Sequence, residues 1–534
     1  MVTFPRVDSW TTDKAFAHRL IWASLALFAA HLPLLLIFKG EFTDGVLQAA
    51  YFDEPLFVVA PEAPPARYVP PLYPALMWIG KSCGVDPFLA GRIVSLLAYC
   101  LTGAVIAMGT RLFFSQTFSP WASWAAWILW ALSPMANRWA LHAMSDMVFC
   151  FLMTLSLSFF LLSSRASSER NKTFWWCGNL FGLLSLWTRY QGLYCLPAAV
   201  ISFALNSGWT GRRGPHLLSA AHIISAILIW CGSLWLLSSG LGIHQGQFSE
   251  RSIYPPEVYL KFALAAFRYL PYAVTTGLLG LAFFGLWHLN RNHPRARPWI
   301  LYGFLVGLGG LLLQTFFLSF QFRYGLPLLP WLCVLGGLGL VRTPARYRVM
   351  ITLAMVAWSG TMTAAVCMYQ HETFGDMARL AHRIPHYLEP GQRVWACEEY
   401  NPLYRNVKLS VWSGFQVDWL DEQSLPQVRP GDLVVNPNVY PIPPSIFLAL
   451  RQNWSLRTLA EETSRTMPLF PGEILILQVP TPQGNLSIRS TSQPELMAYR
   501  YTPQYYETSL YRIFPRSAES FDANQGREPL QAAP

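Results

Sequence analysis

The sequence predicts a mainly α protein. It reads as a polytopic transmembrane helical bundle of about eleven spans, with a first-loop interfacial helix and a small α/β extracytoplasmic C-terminal domain. Three observations carry this. Hydrophobic residues make up 53% of the 534 and charged residues 13%, about half the charged share of an ordinary soluble domain. The apolar residues fall in blocks near the roughly 20 residues that cross a bilayer. From His371 onward the composition becomes that of a water-exposed domain.

The blocks lie at 19–38, 90–112, 118–137, 143–163, 173–188, 191–207, 216–239, 271–290, 298–319, 324–341 and 347–369. The pair 173–188 and 191–207 also reads as one long hairpin, and 71–82 is apolar but too short to cross alone. The first block is as long as a full span and lacks a small-residue cleavage pattern after Leu35, so it reads as a retained helix and not as a signal peptide.

Short loops rich in Lys and Arg stay cytoplasmic. With the N-terminus inside, the inner segments hold Arg6, Lys14, Arg19, Arg111, Arg165, Arg170, Lys172, Arg212, Arg213, Arg291, Arg295, Arg297, Arg342, Arg346 and Arg348, opposed by Asp8, Asp13 and Glu169. The inner face therefore carries +12 and the rest of the chain −2 of the +10 balance. The positive charge is a topology signal and no evidence of nucleic-acid binding, which needs a basic face on a soluble domain, so no nucleic-acid partner is expected. An odd number of spans places everything after Met368 outside, in a multi-pass cell membrane protein of the bacterial inner-membrane kind.

The first outer loop, 39–89, opens with Thr43 or Asp44 as a helix cap, followed by Val46, Leu47, Ala50 and Tyr51 on one face. A Pro-rich run from Pro61 to Pro74 interrupts it, and a second large outer loop covers 240–270. The inner loops are short and carry no Gly-rich phosphate loop, so any chemistry sits outside. Residues 1–369 form the membrane module, 370–514 the outer α/β domain and 515–534 a polar, disordered tail. In the outer domain, Asp376–Leu388 and Pro444–Trp454 read as helices, and Arg393–Cys397, Asp432–Asn436, Glu473–Val479 and Ser509–Phe514 as strands. Seven of the nine cysteines lie in or beside spans, and no CxxC or Cys/His spacing marks a zinc site.

Ionisable residues at membrane depth are costly and are functional candidates. Asp44 follows the first span and Asp146 opens the fourth; the plain alternative for each is a helix cap. Asp53 and Glu54 read as a solvated pair, with Tyr51 beside them as a secondary candidate. Arg138, Arg189, Arg268 and Arg323 stand at outer span boundaries against the positive-inside trend, with Arg67 in the first loop. One such Arg is a snorkelling anchor; five on one face fit an anionic headgroup, because guanidinium binds phosphate bidentately.

Several stretches, in order, carry a resemblance. They are Glu41-Phe-Thr-Asp-Gly-Val with Tyr51 downstream, Arg67-Tyr-Val-Pro-Pro-Leu-Tyr-Pro, Gly91-Arg-Ile-Val-Ser-Leu-Leu and Ala131-Leu-Ser-Pro. Ser145-Asp-Met, Gly182-Leu-Leu-Ser-Leu-Trp-Thr-Arg-Tyr-Gln-Gly-Leu and Arg323-Tyr-Gly-Leu-Pro-Leu-Leu-Pro follow. Over residues 20–340 the chain resembles the GT-C membrane glycosyltransferases, in particular the protein O-mannosyltransferase and lipid A aminoarabinose transferase superfamily (glycosyltransferase family 39-like). The resemblance implies transfer of a sugar from a polyprenyl-phosphate-linked donor to a lipid, glycan or protein acceptor at the outer face, with inversion. By the same resemblance, Asp44 matches the first-loop acid and is the general base. Asp146 matches a second acid that orients the acceptor or joins a metal site. Arg67, Arg189, Arg268 and Arg323 are the candidates for the donor phosphate. A divalent cation is left open, since the superfamily holds metal-using and metal-free members. Two departures stand out. Val69 occupies the place of a Lys before Pro-Pro in the aminoarabinose transferases, and Gly45 follows Asp44 where many relatives carry Glu.

Two other classes fit the composition: a transporter or flippase of lipid-linked intermediates, and a non-catalytic envelope assembly protein. Transporter folds gather polar residues near the midplane, whereas here the spans are nearly free of charge and polar residues collect at the outer boundary.

Overall fold

The computed structural model describes residues 14–52, 58–59, 70–114, 119–163, 169–206, 220–240, 260, 264, 275–292, 322–401, 404–438, 440–466, 476–481, 484–489 and 504–516. Its helices are α1 (Lys14–Leu35), α2 (Thr43–Ala49), α3 (Leu72–Ser82), α4 (Pro87–Phe114), α5 (Trp121–Ala131), α6 (Pro134–Ala140), α7 (Asp146–Ser163), α8 (Glu169–Thr188), α9 (Cys195–Asn206), α10 (Ala220–Trp235), α11 (Thr276–Asn292), α12 (Leu329–Arg342) and α13 (Ala345–Tyr369). Ten of the eleven apolar blocks fall on these helices; 298–319 lies outside the described residues.

Six described helices are long and apolar enough to cross a bilayer: Lys14–Leu35, Pro87–Phe114, Asp146–Ser163, Ala221–Ser238, Gly325–Arg342 and Ala345–Met368. Trp22, Leu228, Trp235, Phe283, Leu353 and Met350 stand exposed on α1, α10, α11 and α13. So much outward apolar surface is stable only with lipid as its solvent. Inside, Phe149, Met153, Leu157, Phe160, Trp175, Leu186, Ala198 and Trp230 join α7, α8, α9 and α10 in one core. The helices α11 and α12 touch through backbone: a Cβ on Gly285 would collide with the Leu335 carbonyl, and one on Gly339 with the Leu281 carbonyl. Close approach at small residues is how helices associate where lipid removes the hydrophobic drive.

The apolar block 118–137 is two helices and not one. Pro134 has no N–H to continue α5, and the Ser133 hydroxyl caps α6 at the Ala136 N–H. Asn137 Nδ2 donates to the Ala131 carbonyl at 2.9 Å, which the Tyr99 hydroxyl also reaches at 2.8 Å, and to the Ser133 carbonyl at 3.0 Å, which the Asn137 N–H holds as well. Its Oδ1 accepts from Tyr99 at 3.1 Å and bonds His31 at 2.8 Å. An orphaned carbonyl in hydrocarbon costs several kcal/mol, and these side chains together with the backbone N–H groups of Ser133 and Asn137 leave none of the Trp130, Ala131 and Ser133 carbonyls orphaned.

The chain divides into two compact units, Met1–Phe52, Pro64–His371 and Met467–Pro503 in one, Asp53–Ala63, Glu372–Thr466 and Gln504–Pro534 in the other. The second unit contains α14 (Gly375–Tyr387), α15 (Val407–Ser413) and α16 (Pro444–Asn453) with strands β1 (Val58–Val59), β2 (Val394–Ala396), β3 (Glu399–Asn401), β4 (Tyr404–Arg405), β5 (Asp418–Trp419), β6 (Leu433–Pro437) and β7 (Trp454–Thr466). A hairpin β8 (Ile476–Thr481) and β9 (Gly484–Arg489) follows in sequence, then β10 (Gln504–Pro515) returns to the second unit. Its main sheet has the order β5-β2-β6-β10-β7, with β2 parallel to β5 and β6, and β10 antiparallel to β6 and β7. Trp395, Val434, Ile446, Leu450 and Ile513 form its core. The long strand β7 was not legible as a strand, because Arg457, Glu461, Glu462 and Arg465 give it a polar sequence. A piece of the loop between α2 and α3 also belongs here: β1 pairs antiparallel with β4, in the order β1-β4-β3.

Candidate active site

Four sequence candidates meet at one end of the helices. Asp44 lies in the first turn of α2 and Asp146 is the first residue of α7, where the helix dipole favours a carboxylate. Arg189 follows the last turn of α8, and Arg323 sits in the 3-10 turn Phe322–Leu328 that leads into α12. Arg323 Nη2 donates to Asp44 Oδ2 at 2.5 Å, and its Nη1 lies 3.9 Å from Asp146 Oδ2. Arg189 Nη1 meets Asp146 Oδ1 at 2.7 Å and also reaches the Ser145 hydroxyl at 3.5 Å. The result is a chain of alternating charge: Asp44, Arg323, Asp146, Arg189. Each carboxylate is taken up by a guanidinium from a distant part of the chain, and the N-cap residue of α2 is Phe42.

Trp139 broadens the cluster. Its ring carries the Arg323 guanidinium at 5.7 Å and the Arg138 guanidinium at 4.8 Å, an attraction that strengthens when the cations are desolvated, as these buried ones are. Tyr51 is buried, with its ring edge-on to Phe52 at 5.0 Å. Arg67, Arg268, Asp53 and Glu54 lie outside the described residues. Among the described residues, no group of three His, Cys, Asp or Glu side chains is placed to hold a metal ion.

Three further ionisable residues escaped the sequence reading. Glu41 is fully buried beside Arg92 and His142. Its Oε1 accepts from the Phe42 N–H at 3.0 Å and from His142 Nδ1 at 3.0 Å, its Oε2 from Arg92 Nε at 3.1 Å and the Ala143 N–H at 2.9 Å. An ionised carboxylate only accepts, so the histidine carries its proton on Nδ1. Burial alone pushes the Glu41 carboxyl up; His142, Arg92 and the Ala143 N–H outweigh it and bring it down to about 2. A signal existed. Arg92 stands at an end of an apolar block that the loop charges read as outer, as Arg138 and Arg189 do, and Glu41 opens the stretch that holds Asp44.

A polytopic membrane bundle with paired acids and arginines gathered at one boundary is the class that fold and site define. Residues 68–230 match the family model of dolichyl-phosphate-mannose-protein mannosyltransferases. No curated protein sequence matches the chain. Among solved structures, the chain is similar to ArnT from Cupriavidus metallidurans in the apo state, at 14% identity and a TM-score of 0.58, covering 90% of this chain and 99% of that one. It is also similar to ArnT from the same organism bound to undecaprenyl phosphate, at 15% identity and a TM-score of 0.56, covering 84% and 96%. The family match and the fold bear out the resemblance, read first from the motifs, to GT-C membrane glycosyltransferases.

Proposed function

We propose that the chain transfers a sugar from a polyprenyl-phosphate-linked donor to an acceptor hydroxyl at the extracytoplasmic face, with inversion and with Asp44 as general base. The observation that carries this reading is the Asp44–Arg323–Asp146–Arg189 chain of charges. Asp44 takes the proton of the acceptor hydroxyl as its oxygen bonds to the anomeric carbon. The bond from that carbon to the donor phosphate oxygen breaks, and its electron pair leaves on the phosphate. Negative charge grows there, and preorganised guanidinium groups oppose it most effectively where water is excluded. Arg323 and Arg189 fill that role, with Arg67 and Arg268 as further candidates. A phosphate that engages Arg323 competes with Asp44 for the guanidinium, and the carboxylate becomes more basic as the pair loosens. Asp146, held by Arg189, orients the acceptor.

Asp44→Asn keeps the shape and removes the base. The expected outcome is normal membrane insertion with turnover reduced by roughly 10²–10⁴-fold, read as polyprenyl phosphate released from membrane-extracted polyprenyl-phosphate sugars. Undiminished turnover removes Asp44 from the role. A transporter or an assembly protein would release no polyprenyl phosphate even with Asp44 intact. The outer placement of the site has its own check: a reporter fused after Tyr369 is active only outside the cytoplasm, and cytoplasmic activity inverts the topology.

A further inference from the structure

Two acids can act on one reacting centre only if something holds their separation, and flexible carboxylates on different elements do not hold it themselves. Arg323 touches both acids, but it is also the group a phosphate would engage, so it is a poor ruler. The Glu41 cluster lies next to both acids in sequence and faces neither role. Asp44 comes three residues after Glu41, and Asp146 comes three residues after Ala143.

We propose that Glu41, locked by Arg92, is a positioning residue that sets where Asp44 stands relative to Asp146. The inference rests on the reading of Asp44 as the base, and it follows from three successive ties between the loop after α1 and the turn before α7. First, the Glu41 carboxylate holds the Ala143 N–H at 2.9 Å and His142 Nδ1 at 3.0 Å. Second, α2 lies against that turn at a distance only glycine allows: a Cβ on Gly45 would stand 2.6 Å from the Ala143 carbonyl oxygen and 2.7 Å from Glu41 Cγ. Any side chain at position 45 would force the two apart. Third, Gln48 Nε2 donates to the Ser145 hydroxyl at 3.1 Å.

Arg92 makes the anchor rigid. All three of its guanidinium nitrogens are used, Nε on Glu41 Oε2 at 3.1 Å, Nη1 on the Phe38 carbonyl at 3.1 Å and Nη2 on the Gly40 carbonyl at 2.8 Å. A planar fork with fixed donors does what a lysine point charge cannot. The loop 38–41 is thus pinned to α4, and Glu41 pins that loop to the turn 142–143. A shift of about 1 Å at a reacting centre costs roughly 10²-fold in rate, which is the scale on which this anchor acts.

The test compares Glu41→Gln, which removes the charge, with Gly45→Ala, which keeps every charge and forces α2 away from Ala143. Turnover is followed as polyprenyl phosphate released from membrane-extracted polyprenyl-phosphate sugars, per folded molecule. Binding is followed with undecaprenyl phosphate alone. Both variants are expected to lose roughly 10- to 100-fold in kcat, with KM and undecaprenyl phosphate affinity within about threefold of the parent. A purely structural anchor would lower the yield of folded protein and leave turnover per folded molecule unchanged, and that result overturns the proposal. So does a loss confined to KM. Should Glu41→Gln not fold, Gly45→Ala decides alone. Asp44→Asn, run alongside, separates the two claims: if it turns over normally, the base assignment fails, whereas an inactive Asp44→Asn beside fully active Glu41 and Gly45 variants sinks only the positioning role.

Discussion

Glu41 and Asp376 are both fully buried carboxylates, one in each compact unit, and their acidities move in opposite directions. Burial pushes both up. For Asp376 it wins: hydrogen bonds from the Ser464 hydroxyl at 2.7 Å and the Thr508 hydroxyl at 2.6 Å, with backbone N–H groups, only reduce the rise. For Glu41 it loses, because Arg92 and His142 stand against the carboxylate. Hydroxyl donors satisfy a buried acid of either charge, whereas a guanidinium commits it to the anion. A second contrast, of exposure, separates Asp44 and Arg189 from a buried ion pair of the second unit. Lys408 Nζ holds Glu398 Oε1 at 3.0 Å and Tyr440 at 3.1 Å, and the N–H groups of Lys408 and Leu409 occupy Glu398 at 3.2 Å each. Both members of that pair are fully buried, which makes it a brace for α15. Asp44 and Arg189 keep some contact with their surroundings, at 11% and 15% side-chain exposure.

If charge pairing marks function in one unit and structure in the other, substitutions should separate the two. Arg323→Ala is expected to cut turnover per folded molecule by roughly 10²–10³-fold, with a smaller effect on thermal unfolding. Lys408→Met should do the reverse. It strands the Glu398 charge and costs about 3–5 kcal/mol of stability in the second unit, much of which Glu398→Gln in the same chain restores. Turnover per folded molecule stays that of the parent; a loss there matching Arg323→Ala would erase the distinction.

The smallest effects lie in pH. The folded carboxyl of Glu41 is depressed, from an ordinary 4.5 to about 2. The stability it contributes is therefore complete above about pH 4.5 and is lost as pH falls towards 2. Asp376 is raised above an ordinary 3.8, so the folded state binds its proton more tightly and stability falls as pH rises from there through the folded value. Thermal unfolding of the parent should weaken on acidification in a manner Glu41→Gln no longer shows. Asp376→Asn should flatten the decline on the alkaline side of pH 3.8 and gain about 1 kcal/mol at neutral pH, the cost of a partly compensated buried charge. A destabilised Asp376→Asn would mean that its hydroxyl partners, and not its burial, dominate.

The amino-acid sequence by itself determined the membrane class, the helical blocks and the elements α14, α16, β2, β6 and β10 of the second unit, but not its strand β7 or helix α15. Each depends on composition and period along the chain: a bilayer demands long apolar runs, and strands and amphipathic helices reveal themselves within a few residues. It also singled out Asp44, Asp146, Arg189 and Arg323, because a charge at an apolar boundary is costly wherever its partner lies. Only the tertiary structure decided the partners. Arg323 is 279 residues from Asp44 along the chain, and Glu41 is 101 from His142. The break between α5 and α6, the strand that the first loop lends to the second unit, and the fit of Gly45 against Ala143 are likewise products of contact. Burial and pairing belong to surfaces that meet on folding, and no window of sequence contains both sides of the meeting.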